Sequence, residues 1–331
     1  MPTIRDVAQH AGVSTATVSH ILNGTKHITP QVVGRVQQAI EQIGYQPNGS
    51  ARALRTGLTK TLGLIVPDIA NPFFPQLAQA VEARARTEGY ATVLMESSYE
   101  AQTESMNLKF LISRGVDGLI WTLSGSGRLP TTVPKVPTVM LDYAPAGWYA
   151  VRADDYGGGR MQARFAHSAG HSRVALLWGL LSVSSIQERQ RGFHDENAGK
   201  AAVALELESP FSLTLPKALE RKLIAHASEF SLLICGNDVL AIAAIKALKR
   251  AGISVPDQVS VLGFDDTPLA EVVDPALSTI AQPTKKLGSL AVELLLSQIQ
   301  GRPTPQTSVV LPVSLVERDS TRRLTGLRGD G

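Results

Sequence analysis

The sequence predicts an α/β protein in which a small all-helical head precedes a body of two lobes, each built on a parallel sheet. Three observations support this fold class. About the first 45 residues carry helical periodicity alone. From Thr61 onward, apolar runs of three to five residues alternate with helical stretches, as in parallel sheets covered on both faces. About 270 residues hold two such series, which favours two similar lobes over one sheet.

The composition is that of a globular protein. The chain has 331 residues, of which 44% are hydrophobic and 18% charged, so it can bury a sizeable core. It shows no basic-then-apolar leader and no apolar run near the ~20 residues that span a bilayer, so we expect a soluble cytoplasmic protein without membrane contact. The one cysteine, Cys235, excludes an internal disulfide, and its apolar neighbours predict a buried hydrophobe rather than a nucleophile.

The first two helices of the head form a helix-turn-helix pattern. The first is predicted over Ile4–Ala11, with a capping box from Thr3 and Asp6. Ser14 is the expected N-cap of a second helix near residues 15–22. That helix turns small or polar side chains outward, namely Thr15, Ala16, Ser19, His20 and Asn23. Such side chains can enter a major groove, although a solvated helical hairpin is the structural alternative.

A third helix and a local positive charge complete the head. Thr29 is the expected cap, Pro30 takes the first helical position, and Gly44 ends the helix. Residues 1–60 contain six Lys or Arg against two Asp or Glu, a net charge of +4, whereas the rest of the chain sums to −1. This distribution supports contact with phosphates without proving it.

The segment after the head, residues 48–60, is small, polar and basic. Its composition favours a plain linker. A linker needs no leucine between two arginines, however, and Leu54 lies between Arg52 and Arg55 in a helix-compatible run. An apolar side chain flanked by cations is suited to wedge between base steps in a minor groove. The residues alone leave both interpretations open.

The body is predicted from its alternating pattern. Strands are expected near residues 62–66, 92–95, 119–121 and 138–141 in the first series, and near 174–178, 232–235 and 259–262 in the second. Helices are expected near residues 75–88, 101–114, 187–197 and 238–251. In open α/β sheets, ligands lie beyond the carboxyl ends of the strands, so the residues that follow each strand are the candidates for function.

Polar side chains follow many of these strands. They include Asp68, Asn71, Asp142, Asn237 and Asp265, and Phe73, Phe74 and Arg189 lie nearby in sequence. Carboxylates accept paired hydroxyls, a guanidinium donates in a fixed fork, and aromatic faces cover apolar ring surfaces, so these residues together predict a cleft for a hydroxyl-rich small molecule. We expect Asp155 and Asp238 to serve as helix N-caps instead.

The motifs of the common α/β enzymes are missing. The sequence has no Gly-x-Gly-x-x-Gly after a strand, no Walker A run and no Gly-x-Ser-x-Gly elbow. Its seven histidines are scattered and form no cluster with metal-ligand spacing. We therefore expect no catalytic residue, no metal site and no cofactor.

These features together resemble the LacI/GalR family of bacterial transcription regulators over nearly the whole chain. The family opens with T-[IL]-x-D-V-A-x-x-A-G-V-S-x-x-T-V-S-[RH]-x-[LIV]-N, which is met from Thr3 to Asn23. Further matches are GYQPN at 44–48, ARALRTGLTKTLGLIVPDIANPFF at 51–74, RGVDGLI at 114–120, AGHSRVALL at 169–177, NDVLAIAAIKAL at 237–248, VPDQVSVLGFDDTPLA at 255–270 and STIAQP at 278–283.

The resemblance implies a domain organisation. It implies a three-helix helix-turn-helix head over residues 1–47, a hinge helix or linker over 48–60, and a two-lobed periplasmic-binding-protein-like body with doubly wound parallel sheets over 61–331. The first lobe would span about 61–157 plus 284–310, and the second about 158–282 plus 311–320. Three crossovers would join the lobes, which would close as a hinge.

The resemblance also implies roles for matching residues. Thr15, Ala16 and His20 would face base edges, and Ser14, Thr17, Ser19, Asn23 and Thr3 would lie nearer the DNA backbone. Lys26 would add to base readout, and Leu54, flanked by Ala51 and Arg55, would be the leucine inserted in the minor groove. The effector contacts would come from Phe73, Asp142, Arg189, Asn237, Asp265 and Gln282.

The expected function is repression of transcription by a homodimer on palindromic double-stranded DNA, controlled by a small-molecule effector. A carbohydrate is the first choice and a purine the second. A periplasmic-type sugar-binding protein or an α/β enzyme are the alternatives from other classes, and the head argues against both.

The sequence departs from the family pattern in two places. Residues 199–229 are less patterned than the family leads us to expect. The tail after Glu317 lacks a leucine heptad, so no tetramerisation helix is expected.

Overall fold

The computed structural model of the chain describes residues 2–23, 26–46, 57–123, 125, 134–142, 147–303 and 307–324. It divides into two compact units, residues 1–59 and 60–331. The first unit is the head and the second is the body. The predicted α/β fold class, with helices first and two parallel-rich sheets after them, is confirmed.

The head consists of three helices around a small core. They are α1 (Ile4–Ala11), α2 (Thr15–Asn23) and α3 (Pro30–Ile43). The start of α1 is fixed as predicted, because the backbone N–H and the hydroxyl of Thr3 donate to the Asp6 carboxylate at 2.7 and 2.9 Å. Its end is fixed by Gly12, which takes a left-handed conformation with φ of 62°. The fully buried core residues are Val7, Val18 and Val36.

The first lobe of the body is built on an all-parallel sheet. Its strands are β1 (Thr61–Val66), β2 (Ala91–Glu96), β3 (Gly118–Thr122), β4 (Thr138–Leu141), β5 (Tyr149–Ala153) and, from much later in the chain, β11 (Ser308–Leu311). The strand order is β11-β5-β4-β3-β1-β2. The helices of this lobe are α4 (Phe73–Thr87) and α5 (Ala101–Ser113). Its core lies between the sheet and its helices.

The second lobe repeats this arrangement. Its strands are β6 (Arg173–Trp178), β7 (Ala202–Glu208), β8 (Leu232–Cys235), β9 (Ser260–Asp265), β10 (Ser278–Ala281) and β12 (Ser314–Val316), and only β12 is antiparallel. The order is β12-β10-β9-β8-β6-β7. Its helices are α6 (Asp155–Ser168), α7 (Ser184–Asn197), α8 (Lys217–Ala225), α9 (Asp238–Arg250) and the short α10 (Pro268–Val272). In each sheet the strand order therefore reverses beside the first strand, between β1 and β3 in the first sheet and between β6 and β8 in the second.

The chain passes between the two sheets three times. It leaves the first sheet after β5 and returns after β10 through α11 (Thr284–Ile299), which packs on α4 and on β3, β4 and β5. It then adds β11 to the first sheet and crosses again to add β12 to the second. Each lobe thus ends with a strand from the last part of the chain.

A close approach of two helices shapes the second lobe. Helices α6 and α7 pack tightly against each other. A Cβ atom at Gly159 of α6 would overlap the backbone carbonyl of Arg189 on α7, and one at Gly192 of α7 would overlap the carbonyl of Tyr156. Only glycine permits the two helices to lie this close. Their close approach brings the first turn of α6 to the side chain of Arg189.

The structure differs from the sequence prediction at the sheet edges. Strand β2 was predicted as a buried run, but it is an edge strand in which Val93 and Leu94 are 37% and 43% exposed. The elements that were not predicted are strands β5, β7, β10, β11 and β12 and helices α8, α10 and α11. Among the described residues, no helix is long and apolar enough to span a membrane.

Candidate functional site

The main cavity of the body lies at the carboxyl ends of both sheets. Its walls come from the ends of β1 to β4 in the first lobe and of β6 to β9 in the second, and from the segments that follow them. These segments include the two points where the strand order reverses, which is where α/β sheets open a crevice. The cavity space is about 410 Å³, including the part open to solvent. The lining residues are Pro67, Asn71, Phe73, Phe74, Tyr99, Leu123, Asp142, Val183, Ser185, Ile186, Arg189, Phe211, Asn237 and Asp265.

Arg189 is the centre of the polar wall. Its side chain is buried on α7, where Nε donates to Asp155 Oδ1 at 2.7 Å and Nη1 donates to the carbonyl of Gly236 at 2.7 Å. Nη1 also reaches Asp265 Oδ1 at 3.3 Å. The guanidinium lies over the Phe264 ring, 3.6 Å from its centroid. These contacts fix the orientation of the guanidinium before any ligand binds.

The helix-capping roles expected for Asp155 and Asp238 are wrong. Asp154 caps α6 through Gly157 N, and Asn237 caps α9 through Leu240 N. Asp155 instead pairs with Arg189. Asp238 accepts hydrogen bonds from Thr267 and Thr279, at distances of 2.6 to 3.1 Å. The caps lie one residue earlier than expected because Asp155 and Asp238 have buried partners far away in sequence. Their contacts with these partners outweigh a capping hydrogen bond to the nearby backbone.

The two carboxylates among the lining residues, Asp142 and Asp265, come from different lobes. Asp142, at the end of β4, accepts a hydrogen bond from Ser185 Oγ of the second lobe at 2.9 Å. Asp265, at the end of β9, accepts from Gln282 Nε2 at 2.7 Å. Both residues have positive φ, 74° and 113°, in a region that non-glycine residues rarely adopt. Strained backbone of this kind clusters at functional sites, where the surrounding structure holds it.

Three carboxyls lie in the field of one guanidinium, and two of them, Asp155 and Asp265, are buried and contact it. Burial raises the pKa of Asp142, of Asp265 to about 6 and of Asp155 to about 7, against the opposing charge of Arg189. The three carboxyls also repel one another, so they titrate as a group. The cavity therefore offers acceptor oxygens and a guanidinium fork, the groups that bind paired hydroxyls.

Of the predicted cleft residues, five line the cavity and one lies behind it. Phe73, Asp142, Arg189, Asn237 and Asp265 all face the cavity. Gln282 is outside the lining set and orients Asp265 instead. Tyr99 and Phe211 were missed. Phe211 lies in the poorly patterned segment 199–229, and Tyr99 follows a strand end, where the search for strand-end residues could have found it.

The head presents a groove beside α2. It is lined by Val13, Ser14, Ala16, Thr17, His20, Lys26, His27, Ile28, Thr29 and Val32. Ser14 Oγ accepts a hydrogen bond from Thr17 N at 3.1 Å and so caps α2 as predicted. Thr15 and Ala16 are exposed, and Ser19 and His20 are half-buried. The groove thus holds five of the predicted DNA-contact residues, while Thr3 is used in the cap of α1.

Some predicted residues cannot be placed. Ala51, Leu54 and Arg55 lie outside the described residues, as does the side chain of Asn23. Within the described parts of the chain, no group of His, Cys, Asp and Glu side chains could hold a metal ion.

The chain matches two family models. Residues 3–48 match the bacterial regulatory proteins of the lacI family, and residues 163–321 match a periplasmic binding protein-like domain. Among curated relatives, it is 33% identical to the ribose operon repressor of Halalkalibacterium halodurans, over 97% of this chain and 98% of that one. It is 31% identical to the HTH-type transcriptional repressor PurR of Vibrio cholerae, over 98% of this chain and 99% of that one.

Solved structures agree with this assignment. The Lac repressor bound to ONPG in the repressed state has a TM-score of 0.84 at 27% identity, over 97% of this chain and 99% of that one. A LacI family regulator from Enterococcus faecium with bound ribose has a TM-score of 0.71 at 30% identity, over 80% of this chain and all of that one. The chain belongs to the lacI family of bacterial regulatory proteins, and it is a DNA-binding transcriptional repressor with an effector domain rather than an enzyme.

Proposed function

We propose that this protein represses transcription under the control of an uncharged monosaccharide, with D-ribose as the first candidate. The observation that carries the proposal is the polar wall in which Arg189 is held by Asp155 and Asp265 and faces Asp142 of the other lobe. Carboxylate acceptors around one guanidinium suit vicinal hydroxyls, and Phe73 offers an aromatic surface for the apolar side of a sugar ring. Asn237 supplies a further amide.

Relatives support the choice of sugar. Ribose operon repressors are among them, and the Enterococcus faecium regulator holds ribose. A purine is the second candidate, because a PurR repressor is a relative of comparable identity and the cavity is rich in aromatic side chains that could stack on a base. Both candidates would use the same cavity.

The proposed site for DNA is the face of α2 with the segment that follows the head. Thr15, Ala16 and His20 would contact base edges, with Lys26 adding to readout. Thr3, Ser14, Thr17, Ser19 and Asn23 would contact the backbone. Leu54, which lies between Ala51 and Arg55 in the sequence, would insert into the minor groove. The exposure of Thr15 and Ala16 and the +4 charge of residues 1–60 support this assignment.

We also propose that the protein acts as a homodimer in the cytoplasm. Two copies of α2 on a two-fold symmetric operator require a dimer. The exposed apolar side chains of the first lobe support such an interface: Val93 and Leu94 of β2, and Met106 and Phe110 on α5, which packs beside β2. The domain limits we propose are 1–47, 48–60 and 61–331, with the body lobes as the resemblance implies.

Control of repression would follow from closure of the lobes. The effector contacts residues of both lobes, so it would favour one degree of closure and thereby change the spacing of the two hinge segments. Effector and operator would then change each other's affinity by the same factor, typically about 1–3 kcal/mol.

The test is a fluorescence anisotropy titration on a palindromic operator selected from a random library, with and without D-ribose or hypoxanthine. We expect D-ribose, and not hypoxanthine, to change the operator Kd by about tenfold. Asp142→Ala should abolish that change and leave the operator Kd within about twofold, since Asp142 lies in the body. A response to hypoxanthine alone would establish the purine candidate, and an intact D-ribose response in Asp142→Ala would remove that residue from the site.

A further inference from the structure

The segment that follows β2 has an unusual backbone. Ser98 and Tyr99 both have positive φ, 52° and 58°, although neither is glycine. Two successive left-handed residues, one of them a bulky aromatic, are disfavoured and persist only where the surrounding structure holds them. The contacts of the Tyr99 ring show what holds this conformation.

The ring of Tyr99 contacts the opposite lobe. It stacks on Phe211, which follows β7, with a centroid separation of 5.3 Å and an interplanar angle of 29°. It also packs against the second-lobe core that includes Val183 and Ile186. The ring of Phe211 lies against Gly179, where a Cβ atom would overlap it. Phe211 is thus held between Gly179 and Tyr99.

The hydroxyl of Tyr99 is influenced by the charges of the cavity. Burial raises its pKa well above the usual range, and the carboxyls of Asp68, Asp142 and Asp265 raise it further. The hydroxyl is therefore protonated at neutral pH and is a donor beside those acceptors. Both Tyr99 and Phe211 line the cavity, and the Tyr99 ring covers the face of Phe211 on which it stacks.

We propose that Tyr99 sets the size limit of the effector, by closing the cavity above Phe211 so that one monosaccharide or one nucleobase fits and a further sugar unit attached to it does not. This inference rests on the proposed function only in placing the effector in this cavity. It holds for a sugar or a purine, because the limit is steric. Tyr99 is a specificity-determining residue, and the residues that bind the ring remain Arg189 and the carboxylates.

The test compares a small probe with one that carries a further sugar unit, in both chemical classes, by isothermal titration calorimetry on the full chain. The probes are D-ribose and D-glucose against cellobiose, and hypoxanthine against inosine. The wild type should bind at least one small probe, and the larger probe of that class about 100-fold more weakly or not at all. Tyr99→Ala should reduce this preference by about tenfold or more, chiefly by gaining affinity for the larger probe.

Two control variants separate the steric role from a loss of folding. Tyr99→Phe keeps the ring and should keep the wild-type size preference. Tyr156→Ala makes the same truncation on α6, outside the cavity, where the hydroxyl donates to Asp195, and it should also keep the preference. Thermal unfolding of each variant confirms that it is folded before the titration.

The outcomes distinguish the two proposals. If Tyr99→Ala binds the small probe and discriminates against the larger one as strongly as the wild type does, the size limit lies elsewhere and this inference is wrong. The same holds if wild type binds both probes of a class equally. Binding of hypoxanthine but no sugar would reject the sugar effector and still test Tyr99 through inosine. A folded wild type that binds none of the probes would reject both proposals.

Discussion

Replacing Arg189 with methionine is the most direct test of how the effector cavity is held together. The side chain is 5% exposed and contacts two carboxylates, Asp155 at 2.7 Å and Asp265 at 3.3 Å. Methionine keeps much of the volume and removes the charge. Because two or three buried carboxyls then lack a cation, we expect the free energy of unfolding at pH 8 to fall by about 3–5 kcal/mol.

The assay is urea unfolding of the full chain, followed by tryptophan fluorescence. All three tryptophans, Trp121, Trp148 and Trp178, lie in the body, so the signal reports the unit that contains Arg189. The matched control is Arg191→Met on the same helix, because the Arg191 side chain is 60% exposed and its charge contacts are the exposed ones with Glu188 and the Tyr156 ring. The control should change stability by less than about 0.5 kcal/mol.

The pH dependence identifies the cause of the loss. Folded Asp155 and Asp265 have pKa values raised to about 7 and about 6, above the roughly 4 of an unfolded aspartate. The folded state therefore binds more protons between these values, and the stability from these groups falls as pH rises through that window. Without Arg189 the carboxyls can still protonate at pH 5, so the loss in Arg189→Met should be smaller at pH 5 than at pH 8.

A double mutant provides the decisive comparison. Adding Asp155→Asn to Arg189→Met removes one carboxylate left without its cation, so it should recover stability, with a coupling energy of at least about 1 kcal/mol. If the two changes add to within about 0.5 kcal/mol and the loss is the same at pH 5 and pH 8, Arg189 stabilises the body by packing alone and the electrostatic account is refuted.

Three further substitutions test separate parts of the protein. Gly159→Ala should destabilise the body by about 1–3 kcal/mol and weaken effector binding, because the new Cβ would overlap the Arg189 carbonyl and push α6 away from α7. Unchanged effector binding in calorimetry would contradict this. Gly34→Ala, in the exposed middle of α3 with nothing within 4 Å of the new Cβ, should stabilise that helix by about 1 kcal/mol and slow its hydrogen exchange about fivefold; faster exchange would refute it. Leu54→Ala should weaken specific operator binding much more than binding to random DNA in a gel shift; equal losses would reject the wedge.

The sequence predicts best where a local signal and burial agree. Helix α1 begins and ends where its capping box and Gly12 place it, and β4 and β8 have the predicted bounds. These strands are central and buried on both faces, so continuous apolar runs identify them. Not every strand carries that signal. Strand β7 contains Glu206, which accepts hydrogen bonds from Trp178 and Gln190, and such a strand does not read as an apolar run.

The cavity shows a comparable limit. Strand-end residues identified Asp142, Asn237 and Asp265, because the carboxyl ends of parallel strands meet at one edge. The same reasoning assigned Asp155 to a cap, since its partner Arg189 lies 34 residues later and no spacing rule connects them. The close approach that joins them depends on Gly159, whose role follows from helix packing rather than from its neighbours in sequence.

The contacts between the lobes explain how a bound molecule could act on the operator. Asp142 and Phe73 belong to the first lobe, and Arg189 and Asp265 to the second, so one ligand that touches all four is sensitive to the separation of the sheets. A ligand shifts an equilibrium only by its differential affinity for the two states. In the described structure, Asp142 already bonds Ser185 across the cavity at 2.9 Å. An effector that donates to Asp142 in place of Ser185 removes a contact between the lobes and adds its own contact with Asp142. Its geometry at Asp142 therefore decides whether binding favours closure or opposes it, and Asp142→Ala, which removes that acceptor, should remove the response to the effector.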